Sequence, residues 1–173
     1  MATGLTKIAS ISVSSSTYSV TFSSIPSTYT DLLLVFSTRC DYGSDGGYEV
    51  EASMNSVTTG YSSLTLYTDG SATGSVTASN PFFTWAGGMT RGGNTANTFA
   101  NSQMYIPNYA GSNAKSVATD SVTEYNGTNV FNEFAGHINT STASITSITL
   151  YAWQSFINFV SGSTFYLYGI KSS

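Results

Sequence analysis

A single histidine, His137, and a single cysteine, Cys40, bound the covalent and metal chemistry open to this chain of 173 residues. Any Ser-His or Cys-His nucleophile has to use His137. It lies in "VFNEFAGHIN", where alternation puts Phe131, Glu133, Ala135 and His137 on one face and Asn132, Phe134, Gly136 and Ile138 on the other. Glu133 shares the face of His137, but four residues of strand hold the two roughly 13 Å apart, too far for a direct acid–base pair. The histidine therefore reads as structural or surface-lying. No serine sits in a Gly-x-Ser-x-Gly elbow. One cysteine excludes an internal disulfide and a multi-cysteine metal site, and Cys40, placed after "DLLLVFSTR", reads as a buried free thiol.

The acidic residues offer little more. "CDYGSDGGYEVE" gathers Asp41, Asp45, Glu49 and Glu51 in a glycine-containing stretch, the oxygen-rich composition a calcium loop uses. An EF-hand, however, wants oxygen ligands at alternate positions, which Tyr42, Gly43 and Ser44 do not supply. Glu49 and Glu51 flank Val50 and read as the solvent face of a strand. As a glycosidase pair they lack an adjoining aromatic platform in the sequence. No catalytic, cofactor-binding or metal-binding residue is assigned, and the expectation is a protein without enzymatic activity. Twelve tyrosines and two tryptophans could stack on sugars. Tyr18, Phe22, Phe99, Tyr105, Phe165 and Tyr168 fall in strand phase and read as core, which leaves Trp85, Trp153 and Tyr109 as loop candidates for a glycan.

The elements that would position these residues are strands. "TYSVTF" at 17–22 alternates Tyr18, Val20 and Phe22 with Thr17, Ser19 and Thr21. "SSIPSTYT" follows as a corner, Pro26 fixing its own φ and biasing Ile25 toward extended backbone. "DLLLVFST" at 31–38 is apolar on both faces, which predicts a central strand covered on each side. "YEVEASM" at 48–54 alternates again, and "YSSLTLYT" at 61–68 suits an edge strand. Further strands are expected at 98–106, 115–124, 129–138, 145–151 and 163–170. The glycine-rich "YGSDGG", "TDGSATG", "AGGMTRGG" and "NYAGSN" read as turns between them. Within "YAWQSFINFV", Trp153, Phe156, Ile157 and Val160 fit either a helical turn or a loop with large apolar side chains. The sum predicts an all-β protein, an antiparallel β-sandwich of jelly-roll-like form. Residues 17–173 make its single domain. Residues 1–16, where Leu5, Ile8 and Ile11 share no face, make an extended N-terminal arm or edge segment lying on a neighbouring subunit.

Composition narrows the partners. Charged residues are 8 % of the chain and aromatics 14 %, against about 25 % charged in ordinary soluble domains. The formal charge is −4, and Lys7, Arg39, Arg91, Lys115 and Lys171 are scattered, so no phosphate-tracking surface and no nucleic-acid partner is expected. The apolar runs are far shorter than the ~18 residues of a spanning helix, and no membrane partner is expected. A surface of Ser, Thr, Asn and Tyr is cheap to desolvate and suits permanent contact with other subunits. "MATGLTKIASISVSSS" lacks the charged and apolar regions of a secretion signal, so export is not expected.

Three phrases carry a resemblance. "TFSSIPSTYTDLLLVFSTR" (21–39), "NTFANSQMYIPNYAGSNAKSV" (97–117) and "ASITSITLYAWQSFINFVSGSTFYLYGIK" (143–171) are similar to small virion structural proteins of tailed bacteriophages of cyanophage and marine type. Members of that group are described as head-decoration (cement) proteins and as tail or fibre components. The resemblance implies a virion subunit on the outer capsid surface, made in the host cytoplasm. It would bind the major capsid protein and copies of itself, with a homotrimer favoured, and stabilise the capsid by non-covalent contacts. The alternative it implies is a tail- or fibre-associated protein with a host-glycan-binding role. Under either, Tyr105 and Tyr109 are expected to be packed with their hydroxyls at the rim of a strand end.

Overall fold

Alternation of apolar and polar residues, punctuated by glycine, produces twelve strands in the computed structural model, which describes residues 4–44, 47–79, 82–124, 126 and 130–171, with only the backbone of Thr84. They are β1 (Leu5–Ser12), β2 (Ser19–Phe22), β3 (Asp31–Thr38), β4 (Gly47–Met54), β5 (Tyr61–Thr68) and β6 (Thr73–Ala78). The second half adds β7 (Phe83–Thr90), β8 (Ala100–Ile106), β9 (Lys115–Glu124), β10 (Val130–Asn139), β11 (Ile148–Ala152) and β12 (Thr164–Ile170). No helix occurs among the described residues: Tyr151 and Ala152 end β11, and residues 153–160 are a loop after it, in which Ile157 and Phe159 are buried and Phe156 is exposed.

All strand pairs are antiparallel. The large sheet has eight strands in the order β1-β12-β3-β8-β9-β10-β5-β6, and the small sheet has four, β2-β11-β4-β7. The two face each other as a β-sandwich. An eight-plus-four split does not by itself make a jelly roll. The core lies between the sheets. Leu32, Leu34 and Phe36 of β3, Met104 and Ile106 of β8, and Phe165 and Leu167 of β12 face Val50, Ala52, Ile148 and Leu150 of the small sheet. Phe165 is its centre: its ring lies 5.8 Å from that of Phe36 and 5.1 Å from that of Phe159.

Three expectations are corrected. First, β3 is covered on one face only. Leu33 and Val35 are half-exposed on the outer side of the large sheet, so their apolar character is not explained by the core of this chain. Second, β5 is not an edge strand, because β6 pairs outside it from Thr68↔Thr73 to Ser63↔Ala78. Third, of the two forms expected for the N-terminal segment, arm or edge segment, residues 4–16 take the edge form, and on their own chain rather than on a neighbouring subunit. β1 is the edge of the large sheet, paired with β12 of its own chain from Leu5↔Ile170 to Ser12↔Thr164, and Val13 joins the core. A register shift between Lys7 and Ala9 inserts Ile8 as a bulge, so Ile8, Ala9 and Ile11 all lean on the core. That bulge is why Leu5, Ile8 and Ile11 share no single alternating face.

Of the glycines of "AGGMTRGG", Gly87 and Gly88 build strand β7, and Gly92 and Gly93 make the expected turn. A Cβ on Gly87 would lie 2.5 Å from Cζ of Phe36 and 2.8 Å from Cβ of Ser102, so only glycine lets β7 approach the large sheet at this point. The loop from β7 to β8 is then tied down by Arg39, a buried residue just past β3. Its Nη1 donates to the carbonyls of Thr95 (2.8 Å) and Thr98 (3.0 Å), and its Nη2 to those of Gly92 (2.9 Å) and Asn94 (3.0 Å).

Candidate functional site

The residues with chemical potential are drawn inside the sandwich. His137 lies buried between the sheets, with Ser63 Oγ 2.8 Å from Nδ1, Thr119 Oγ1 3.1 Å from Nε2 and the Phe83 ring centred 5.0 Å away. Burial holds its pKa down at about 4, so the imidazole is neutral, with one ring nitrogen donating and the other accepting. Ser63 was invisible as a partner in the sequence because 74 residues separate it from His137. The contact has the spacing of a nucleophile and its base, but the second nitrogen meets a threonine hydroxyl rather than a carboxylate, and Ser63 is itself buried. It is a core hydrogen-bond relay that satisfies an imidazole away from water.

Glu133 is buried on the same face of β10 and accepts a 2.6 Å hydrogen bond from Ser121 Oγ. Burial pushes its pKa up to about 8, and the charge of Glu49 adds to the rise. Glu49 and Glu51 share a face of β4 opposite buried Val50 as expected, and that face is half-exposed. Burial raises both, Glu51 to about 7 with Glu49 contributing, and Oε2 of Glu49 has no hydrogen-bond partner. Asp41 receives Asn158 N and Nδ2, each at 2.9 Å, so its carboxylate clamps a loop. Asp45 lies outside the described residues. Among the described residues no group of three or more His, Cys, Asp or Glu side chains is placed to hold a metal ion. Cys40 is buried as expected, and burial raises its thiol pKa.

The aromatic candidates divide. Tyr109 is fully buried, with its hydroxyl donated to the carbonyl of Pro26, so it is no glycan platform. Tyr105, expected in the core, instead faces out and donates 2.8 Å to Asp31 Oδ2. Trp85 is half-buried against Tyr67 and Phe131 and holds a left-handed φ of 62°, an unusual backbone for a bulky residue. Trp153 stacks 4.8 Å from Tyr48, which lies 5.0 Å from Tyr42 and carries the Arg91 guanidinium 3.7 Å over its ring. This cluster at one end of the sandwich is half-exposed. Of the five basic residues, Arg39 and Lys115 are buried, which thins the surface charge further.

The largest feature is the outer face of the large sheet. Register places Leu66, Phe134, Asp120, Gln103 and Val35 in one row across β5, β10, β9, β8 and β3. The next row is Leu64, Gly136, Ala118, Tyr105 and Leu33. Between the tall side chains, Gly136 and Ala118 floor an open depression of about 670 Å³. A Cβ placed on Gly136 would meet no atom within 4 Å. The one charged side chain in these two rows, Asp120, accepts a 2.6 Å hydrogen bond from Gln103 Nε2. The two rows are built of packing residues that no other part of the described chain covers. The sequence pattern "YSSLTLYT" held the signal in Leu64 and Leu66, but alternation alone does not say which face is covered. No protein-family model matches the chain, and comparisons with curated proteins and with solved structures find no match.

Proposed function

We propose that this chain is a capsid decoration protein of a tailed bacteriophage, bound without covalent chemistry to the outer head surface as a homo-oligomer, with a trimer favoured. The observation that carries the reading is the outer face of the large sheet, exposed, largely apolar and with Asp120 as the one charged side chain in its two central rows, in a chain whose histidine and Glu133 are consumed inside the fold. The sequence resemblance supplies the phage context. The mechanism is linkage: a subunit that binds only the assembled lattice of major capsid protein stabilises that lattice, by ~2.7 kcal/mol when its free concentration is about 100 times Kd. Purified particles test the proposal by copy number. Hundreds of copies per head, and heads that burst at lower temperature when stripped of the protein, are expected; a few copies confined to the tail would refute it.

The second reading, a tail or fibre component that binds host glycans, is favoured by one observation, the half-exposed stack of Trp153, Tyr48 and Tyr42 with Arg91. Under it, Trp153→Ala removes binding on a glycan array while leaving the fold intact.

A further inference from the structure

Six side chains of the outer face, Phe134 (60 % exposed), Leu66 (55 %), Leu64 (51 %), Ile138 (46 %), Val122 (40 %) and Tyr105 (38 %), stand open to solvent on neighbouring strands. Together they expose on the order of 600 Å², the upper end of the ~300–600 Å² found for the largest patch of an ordinary monomer and close to the ~800 Å² each partner gives to a standard interface. The face also carries both halves of a fit. Phe134 is the tallest knob, and two residues along β10, about 7 Å away, Gly136 and its neighbour Ala118 floor the depression.

We infer that the occupant of this face is a second copy of the same chain, with Phe134 of one copy seated over Gly136 and Ala118 of the next. Knob and hollow lie on one surface of one chain, so each copy supplies what its neighbour needs, and the exchange closes as a two-fold pair rather than as the trimer that the resemblance favours. The single carboxylate in the two rows is already hydrogen-bonded to Gln103, and a net charge of −4 over 173 residues sets little repulsion between copies. Apolar contact between such faces is the same sheet-on-sheet packing, ~10 Å apart, that builds the interior. The inference deepens the proposed function by naming the self-association surface, and it does not depend on whether the particle carries the protein on head or tail.

Sedimentation and light scattering of the full chain from 1 to 100 µM test it. The wild type is expected to be a dimer. Phe134→Glu with Leu66→Glu is expected to weaken association at least 100-fold. Gly136→Val fills the hollow where a Cβ meets nothing within the monomer, so it keeps the fold and should also dissociate the assembly. Phe156→Glu, exposed on the loop after β11, is the control and should leave assembly unchanged. A wild type that stays monomeric at 100 µM, or a Gly136→Val protein that assembles normally, overturns the inference. A monomer that loses binding to heads on Phe134→Glu also overturns it, assigns the face to the capsid lattice, and leaves the proposed function standing.

Discussion

Glu133 makes the stability of this protein fall as pH rises. Its carboxyl titrates at about 8 when folded against an ordinary 4.5, because burial between the sheets disfavours the charge and Ser121 supplies a single hydrogen bond. Below pH 4.5 both folded and unfolded chains carry the proton. Between 4.5 and 8 the folded chain keeps it while the unfolded chain releases it, so stability is lost throughout that window and fully lost above 8. The difference, 8 − 4.5 = 3.5 pH units, corresponds at ~1.4 kcal/mol per unit to a ceiling of ~5 kcal/mol. Local relaxation and water entry once the charge forms reduce this to about 2–4 kcal/mol, or a fall in Tm on the order of 5–15 °C. His137 works the other way, since its depressed pKa removes stability as pH drops from 6.5 toward 4. The assay is thermal unfolding by circular dichroism from pH 5 to 9, wild type against Glu133→Gln. The amide retains an acceptor for Ser121 and does not titrate. The two proteins should melt alike near pH 5, and the variant should be the more stable at pH 9. Parallel curves across that range would refute the buried-carboxyl argument.

Arg39→Ala leaves four loop carbonyls without their donor. It should cost about 3–5 kcal/mol in urea unfolding with an unchanged m-value; a loss under about 1 kcal/mol means the loop re-solvates freely. Phe165→Ala, between Phe36 and Phe159, should cost about 3–5 kcal/mol, whereas Leu33→Ala on the outer face should cost less than about 1.5 kcal/mol in a monomeric background. Equal losses would place Leu33 in the core. Gly87→Ala pushes a methyl into Phe36 and Ser102 and should destabilise by roughly 1–3 kcal/mol, read as a lowered Tm.

The sequence carried the fold class plainly and the exposed apolar face only in outline. Strands at 31–38 and 115–124 coincide with β3 and β9, because an apolar run or an alternation bounded by turn residues is a local signal. Strands β1, β6 and β7 went unread for separate physical reasons. Ile8 bulges out of register in β1, "TGSVTA" of β6 alternates without burying anything, and in β7 Gly87 answers to Phe36 and Gly88 to Thr123, both distant in the chain. The reading of Leu33 and Tyr105 as core failed through a shared cause. Apolar character says that a side chain seeks cover, not whether its own chain supplies it. His137 and Glu133 were correctly placed on one face, yet only the sheet order reveals that Ser63 and Ser121 receive them.

The position of β12 between β1 and β3 fixes an order of events during synthesis. Among the described strands, β1 is made before its ladder partner β12 and waits unpaired while the ten between them emerge. β2 waits in the same way for β11 in the small sheet. Neither sheet can be finished while its early strand lacks that late partner, and such distant pairings are slow to close. Until then β3 offers an open edge beside exposed leucines, the state most prone to stick to another nascent copy. A cell making many copies at once therefore exposes this chain to its own kind before it has a native surface.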